Sequence, residues 1–122
     1  MVSSSAAGAK LPLFMVGTAK QPLCFKHLCH NGQPPMGYIH QANAWFTQEI
    51  TIHWINKILW PWHKRNFGDV RCILLLDNCR AHTDLNKALY PDKVIILFFP
   101  PNCTSFLQPA DMGMIAALKV GY

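Results

Sequence analysis

The sequence predicts an α/β domain. Three observations carry that expectation: two nearly continuous apolar runs of strand length, Val70 to Leu76 (VRCILLL) and Lys93 to Phe99 (KVIILFF); the 16 residues between them, Asp77 to Asp92; and an amphipathic helical pattern ahead of both. Uninterrupted apolar strands are the pattern of a parallel sheet buried on both faces. A parallel pair also needs a crossover of a dozen or more residues, which the intervening segment is long enough to supply.

Taken in order, Lys10 to Gly17 (KLPLFMVG) is a short apolar stretch punctuated by Gly8 and Gly17, and it predicts a strand with Pro12 at its start or on an unpaired edge. Thr18 to His40 contains Pro22, Gly32, Pro34, Pro35 and Gly37, so it predicts a surface loop with a short strand around Leu23 to Phe25. Thr47, followed by Gln48 and Glu49, predicts an N-cap with an acidic first turn. Ile50, Trp54, Ile55, Ile58 and Trp62 then recur at helical spacing. The helix is expected from Thr47 to about Leu59, because Pro61 disfavours helical geometry at Trp60 and ends or kinks the run. Core packing is preferred for the Trp stripe over a base-stacking platform. Within the crossover, Thr83 is expected to cap a short helix through Tyr90. After the second strand a Pro-rich loop leads to a helix from Pro109 or Ala110 through Lys119. These elements make a three-layer α/β domain.

The chain has 122 residues, 51% of them hydrophobic and 14% charged, enough for one domain or part of one and too apolar for a disordered tail. No apolar run approaches the roughly 20 residues of a membrane-spanning helix. Met1 to Lys10 has neither a basic nor an apolar signal region, so the expectation is an intracellular chain without membrane partners. Its five cysteines are an odd set and are read as reduced thiols; two lie beside apolar runs and read as packing. Cys24, His27, Cys29 and His30 are four possible zinc ligands, but their spacing matches neither a ribbon nor a finger, and structural Cys with solvated His is preferred. A net charge of +5 favours polyanions modestly.

Asp77 stands immediately after the apolar strand, at the carboxyl end where open α/β sheets bind ligands. Asp111 follows the second strand and its Pro-rich loop. Two carboxylates converging there begin a Mg²⁺ site, since Mg²⁺ takes hard oxygen ligands and serves phosphoryl transfer. Against this, an Asp after a strand is commonly a turn former or a cap.

Longer motifs favour the site. LLLDNCRAH (Leu74 to His82) and PPNCTSFLQPADMG (Pro100 to Gly113) together resemble the DDE superfamily endonuclease domain of pogo, Tigger and jerky type transposases, relatives of the Tc1/mariner group. The resemblance extends to GAKLPLFMVGTAKQPLCFK (Gly8 to Lys26) and NAWFTQEI (Asn43 to Ile50), and so covers nearly the whole chain. It implies an RNase H-like mixed sheet with flanking helices and three catalytic carboxylates. By motif match Asp77 takes the second and Asp111 the third, 34 positions apart. Asn78 and His82 fall in the family's D-N-x-x-A-H pattern, where they either order the loop around the site or make local turn bonds.

The departure lies at the beginning. The family's first catalytic Asp precedes the Gly-x-Lys-x-Pro segment that Gly8 to Pro12 resembles, whereas the first acidic residue here is Glu49. Ala110 and Met112 are milder changes. The expectation is therefore a partial DDE domain over residues 1–122, truncated at its N-terminus, with the first strand missing. A gene remnant, an incomplete gene model and a domesticated transposase each fit that picture. Three functions compete: a nuclear DNA-binding domain that no longer cuts, with the basic Lys20, Lys26, His63, Lys64 and Arg65 expected on phosphates and Mg²⁺ weak or absent; an active Mg²⁺-dependent endonuclease completed by an upstream Asp; and a domesticated protein-interaction module.

Overall fold

The computed structural model describes residues 1–27, 37–100 and 120, with residue 27 described by its backbone alone. The protein is mixed α/β and divides into two compact units, one built on Ser3–Phe46 and one that begins at Thr47.

In the first unit, strand β1 (Phe14–Gly17) pairs in parallel with strand β2 (Gly37–His40), Phe14 opposite Gly37 and Gly17 opposite His40. β1 lies in the predicted stretch, and Pro12 sits ahead of it, where its missing N–H disrupts no ladder. Phe14 is buried and meets Phe46 edge-on at 5.9 Å. Gly17 leaves room for a close approach: a Cβ there would lie 2.5 Å from the Tyr38 phenol oxygen, which donates to the Ala19 carbonyl at 2.6 Å, so the Tyr38 ring would have to shift.

Two expectations change in this unit. β2 falls inside the segment read as loop, and its four residues, GYIH, are too few to show a period. The strand expected around Leu23 to Phe25 is a 3₁₀ turn, Leu23–His27. Pro22 opens that turn, and its carbonyl accepts from the Phe25 N–H at 3.0 Å.

In the second unit, helix α1 (Gln48–Trp54), a π-helical segment (Ile55–Leu59) and helix α2 (Trp60–Phe67) run without a break. Thr47 caps the start as predicted: it is extended, and its hydroxyl accepts from the Ile50 N–H at 3.4 Å. The same hydroxyl holds the Glu49 carboxyl below the usual carboxylate range.

Pro61 does not end the helix. The Trp60 N–H donates to the Ile55 carbonyl five residues back, and this wider turn comes immediately before a proline that an α-helical carbonyl at Lys57 would obstruct. The extra residue also rotates the buried face. Ile50, Trp54 and Ile55 are buried as predicted, but from the end of the π segment onward the buried positions are Leu59 and His63, one residue later than the expected Ile58 and Trp62, which are only half-buried. Trp54, fully buried, is a core residue as preferred from the sequence. His63, stacked on Trp60, donates through Nε2 to the Val70 carbonyl at 3.1 Å and is therefore part of the packing. Gly68 closes the helix at φ 82°, its N–H on the Lys64 carbonyl.

Strands β3 (Cys72–Leu76) and β4 (Val94–Phe98) pair in parallel, Cys72 opposite Val94 and Leu76 opposite Phe98, as the two apolar runs predicted. Lys93 closes the entry to the pair by donating to the carboxylate and carbonyl of Asp69, and that contact lowers the Asp69 carboxyl. Burial on both faces does not hold. Leu76 and Val94 join the core with Ile50, Trp54, Ile55 and Leu59, whereas Ile73 (62% exposed) and Leu75 (54%) share an open face with their register partners Ile95 and Leu97.

The crossover departs furthest from expectation. It is a turn followed by a 3₁₀ segment, Lys87–Leu89, capped by Asn86 and not by Thr83. Asp84 at φ 56° interrupts the helical course that Thr83 would have opened. The expected helix from Pro109 or Ala110 to Lys119 lies outside the described residues.

The Thr47 cap yields a direct expectation. Thr47→Ala should lower stability by about 1 kcal/mol in chemical denaturation, with an unchanged denaturant slope. An unchanged midpoint would contradict the capping role.

Candidate functional site

β3 delivers Asp77 at its carboxyl end, and the chain then turns sharply enough to bring three chemically active side chains together. Asp77 Oδ1 lies 2.5 Å from His82 Nδ1, and Cys79 Sγ lies 3.2 Å from the same nitrogen. A carboxylate only accepts, so Nδ1 carries the proton and donates it to Asp77, with the sulfur as a weak second acceptor. The turn closes through the backbone: the Cys79 carbonyl accepts from the N–H groups of His82 and Thr83 at 2.9 and 3.2 Å, and the Cys79 N–H points to Asp77 Oδ1 at 3.4 Å. Burial pushes the Cys79 thiol up, and the neighbouring Asp77 charge adds to that rise.

The helix holds this turn from outside. Thr51 Oγ1, fully buried, lies 2.9 Å from the Ala81 carbonyl and 3.0 Å from the Thr47 carbonyl, one hydroxyl proton serving both. Gln48 Nε2 donates to the Thr83 carbonyl at 2.7 Å, so the carbonyls on either side of His82 are both engaged. Farther along, Asn56 donates to the Leu89 carbonyl at 2.7 Å. Asn78 donates to the Phe99 carbonyl at 2.6 Å, while the Phe99 N–H reaches the Leu76 carbonyl at 3.0 Å. The far ends of β3 and β4 are thereby joined.

Of the residues singled out from the sequence, Asp77, Asn78 and His82 meet in this turn. Asp111 lies outside the described residues. So do Cys29, His30 and the side chain of His27; of those four possible zinc ligands the described side chain is Cys24, exposed on its 3₁₀ turn. Lys64 and Arg65 are exposed in the last turn of α2, and Lys20 and Lys26 are exposed in the first unit. Cys79, Thr51 and Gln48 were not singled out. For Cys79 the available signal was its place between Asp77 and His82, which at two and three residues' distance can share one metal once the chain turns.

The donor set tests the metal that a DDE site implies. Mg²⁺ requires a near-octahedral shell of oxygens. Among the described residues, the cluster of three or more possible ligands is Asp77, Cys79 and His82, one oxygen donor with one sulfur and one nitrogen. These three donors by themselves do not make a Mg²⁺ shell, and the motif-matched Asp111 lies outside the described residues.

Comparison with known proteins agrees with the motifs. The family model described as DDE superfamily endonuclease matches residues 1–122. Jerky protein of Mus musculus is 32% identical over 120 residues, covering 93% of this chain and 21% of that protein. The Homo sapiens Jerky protein homolog is 31% identical over the same shares, and Homo sapiens Tigger transposable element-derived protein 7 is 30% identical, covering 90% of this chain and 21% of its own length. The chain thus spans about one fifth of the length of these curated relatives. No solved structure matches it significantly. With the model matched from end to end and the Asp77 motif at a strand terminus, the chain belongs to the DDE superfamily endonuclease family.

Proposed function

We propose that the chain is a transposase-derived DDE domain that binds DNA through its phosphates in the nucleus and, as these 122 residues, does not cut it. The observation that carries this reading is the state of Asp77: the carboxylate at the family's second catalytic position is engaged by an imidazole and flanked by a thiol. Asp111 stands at the third position by motif match. Cleavage by two metals needs carboxylates that bridge and space both ions, and among the described residues the Asp77 cluster offers one carboxylate.

DNA binding draws on family membership and on charge. Lys20, Lys26, Lys64 and Arg65 are exposed, and among the described residues none of them is in an ion pair. Such cations neutralise phosphates and release counterions, so affinity falls as salt rises. His63, buried beneath Trp60, is not among them.

Two outcomes test the proposal. Affinity for duplex DNA of unrelated sequences should decrease linearly in log Kd against log salt, and the Lys64→Ala, Arg65→Ala double variant should reduce the slope by roughly 1 per lost contact. Binding indifferent to salt would reject phosphate-driven recognition. Separately, the purified chain with Mg²⁺ or Mn²⁺ should leave supercoiled plasmid intact, as should Asp77→Ala and Asp111→Ala. Nicking by the unmodified chain that both substitutions abolish would reject the inactive reading.

A further inference from the structure

We infer that Asp77, Cys79 and His82 form a binding site for a single borderline-soft divalent cation, Zn²⁺ in the first instance, which the geometry favours over Mg²⁺. The three ligand atoms all lie within 4.8 Å of one another, on a turn of six residues. Zn²⁺ takes Cys sulfur at about 2.3 Å and His nitrogen or carboxylate oxygen at about 2.0–2.2 Å, so its ligand atoms sit roughly 3.3–3.6 Å apart on a tetrahedron. Cys79 Sγ and His82 Nδ1, 3.2 Å apart, are already near that spacing. Asp77 Oδ1 and His82 Nδ1, 2.5 Å apart across their hydrogen bond, must open by about 0.8 Å to reach it.

The surroundings favour the site in two further ways. The backbone on both sides of His82 is fixed by Thr51 and Gln48, so ordering the ligands costs little additional freedom. The donor types also select among metals. Thiolate and imidazole suit Zn²⁺, whereas Mg²⁺ prefers oxygen and retains its water. Three protein ligands leave a fourth position for water.

Binding is balanced by proton movement. The Cys79 thiol gives its proton to solvent, and the imidazole proton passes from Nδ1 to Nε2, freeing Nδ1 to coordinate. A Zn²⁺ held in this way occupies Asp77, the carboxylate that a DDE nuclease would need for its own metals. The inference does not depend on DNA binding, which the salt titration measures independently.

Co²⁺ is the probe, because a thiolate ligand gives it a charge-transfer absorption in the near ultraviolet and tetrahedral coordination gives it intense visible bands. The reduced full chain, titrated with Co²⁺, should develop both at one ion per chain and lose them to Zn²⁺ but not to excess Mg²⁺. Cys79→Ser should abolish the charge-transfer band, His82→Ala should weaken affinity by about tenfold or more, and Cys24→Ser should leave the spectrum unchanged. No thiolate band, or one that survives Cys79→Ser and disappears in Cys24→Ser, overturns the assignment. A second measurement needs no variant: Zn²⁺ should slow alkylation of Cys79, located by peptide mass spectrometry, by about tenfold or more while leaving Cys24 unprotected. An unchanged Cys79 rate overturns it equally.

Discussion

A crossover between parallel strands that forms no α-helix must satisfy its carbonyls elsewhere, and in this protein one helix face does so. Gln48, Thr51 and Asn56 donate to the carbonyls of Thr83, Ala81 and Leu89, spaced along the connection from β3 to β4. A buried or half-buried backbone acceptor left alone would cost on the order of 1–3 kcal/mol, so the part-buried bonds from Gln48 and Thr51 stabilise a path that propensity alone would not select, while the Asn56 bond is exposed and contributes less. They also explain why a threonine sits fully buried at position 51 among isoleucine and tryptophan. The π segment that follows sets the phase of the rest of the helix, bringing Leu59 and His63 inward and admitting Pro61.

The chemistry of the turn follows from that bracing. With the carbonyls of Ala81 and Thr83 held, His82 is turned toward Asp77, and Cys79 is carried to the same imidazole nitrogen. In a DDE nuclease the residue after this strand is useful as a free oxygen ligand. Here it is an acceptor for a histidine proton, beside a thiol whose pKa is raised by partial burial and by the Asp77 charge. Asn78 plays a different part: by reaching the Phe99 carbonyl it joins the ends of the two strands, so one four-residue stretch, DNCR, contributes a carboxylate, a strand tie and a thiol.

Much of this was legible from the residues. VRCILLL and KVIILFF read as parallel strands because continuous β-branched and leucine runs have few other uses at that length, and Thr47 read as a cap because its hydroxyl acts within one turn. The position of Asp77 followed from the end of the strand. What escaped depends on tertiary context. A one-residue π insertion leaves no mark on an apolar pattern until the helix is packed, which is why Ile58 and Trp62 stood in for Leu59 and His63. The crossover helix failed because the Asp77 to His82 closure and the positive φ of Asp84 compete with helical hydrogen bonding. The open face of Ile73 and Leu75 could not be told from a buried one, since both faces are equally apolar in sequence.

Asp77 is held by His82 and does not stand as a free carboxylate. Long-range ¹H–¹⁵N correlation NMR of the histidine rings, recorded on the reduced chain with a chelator present, tests it most directly. The expected result is a His82 ring protonated at Nδ1, with a strongly deshielded Nδ1–H resonance that Asp77→Asn moves toward the ordinary imidazole range. A His82 ring with its proton on Nε2 and a bare Nδ1, or an Nδ1–H signal indifferent to Asp77→Asn, would contradict it.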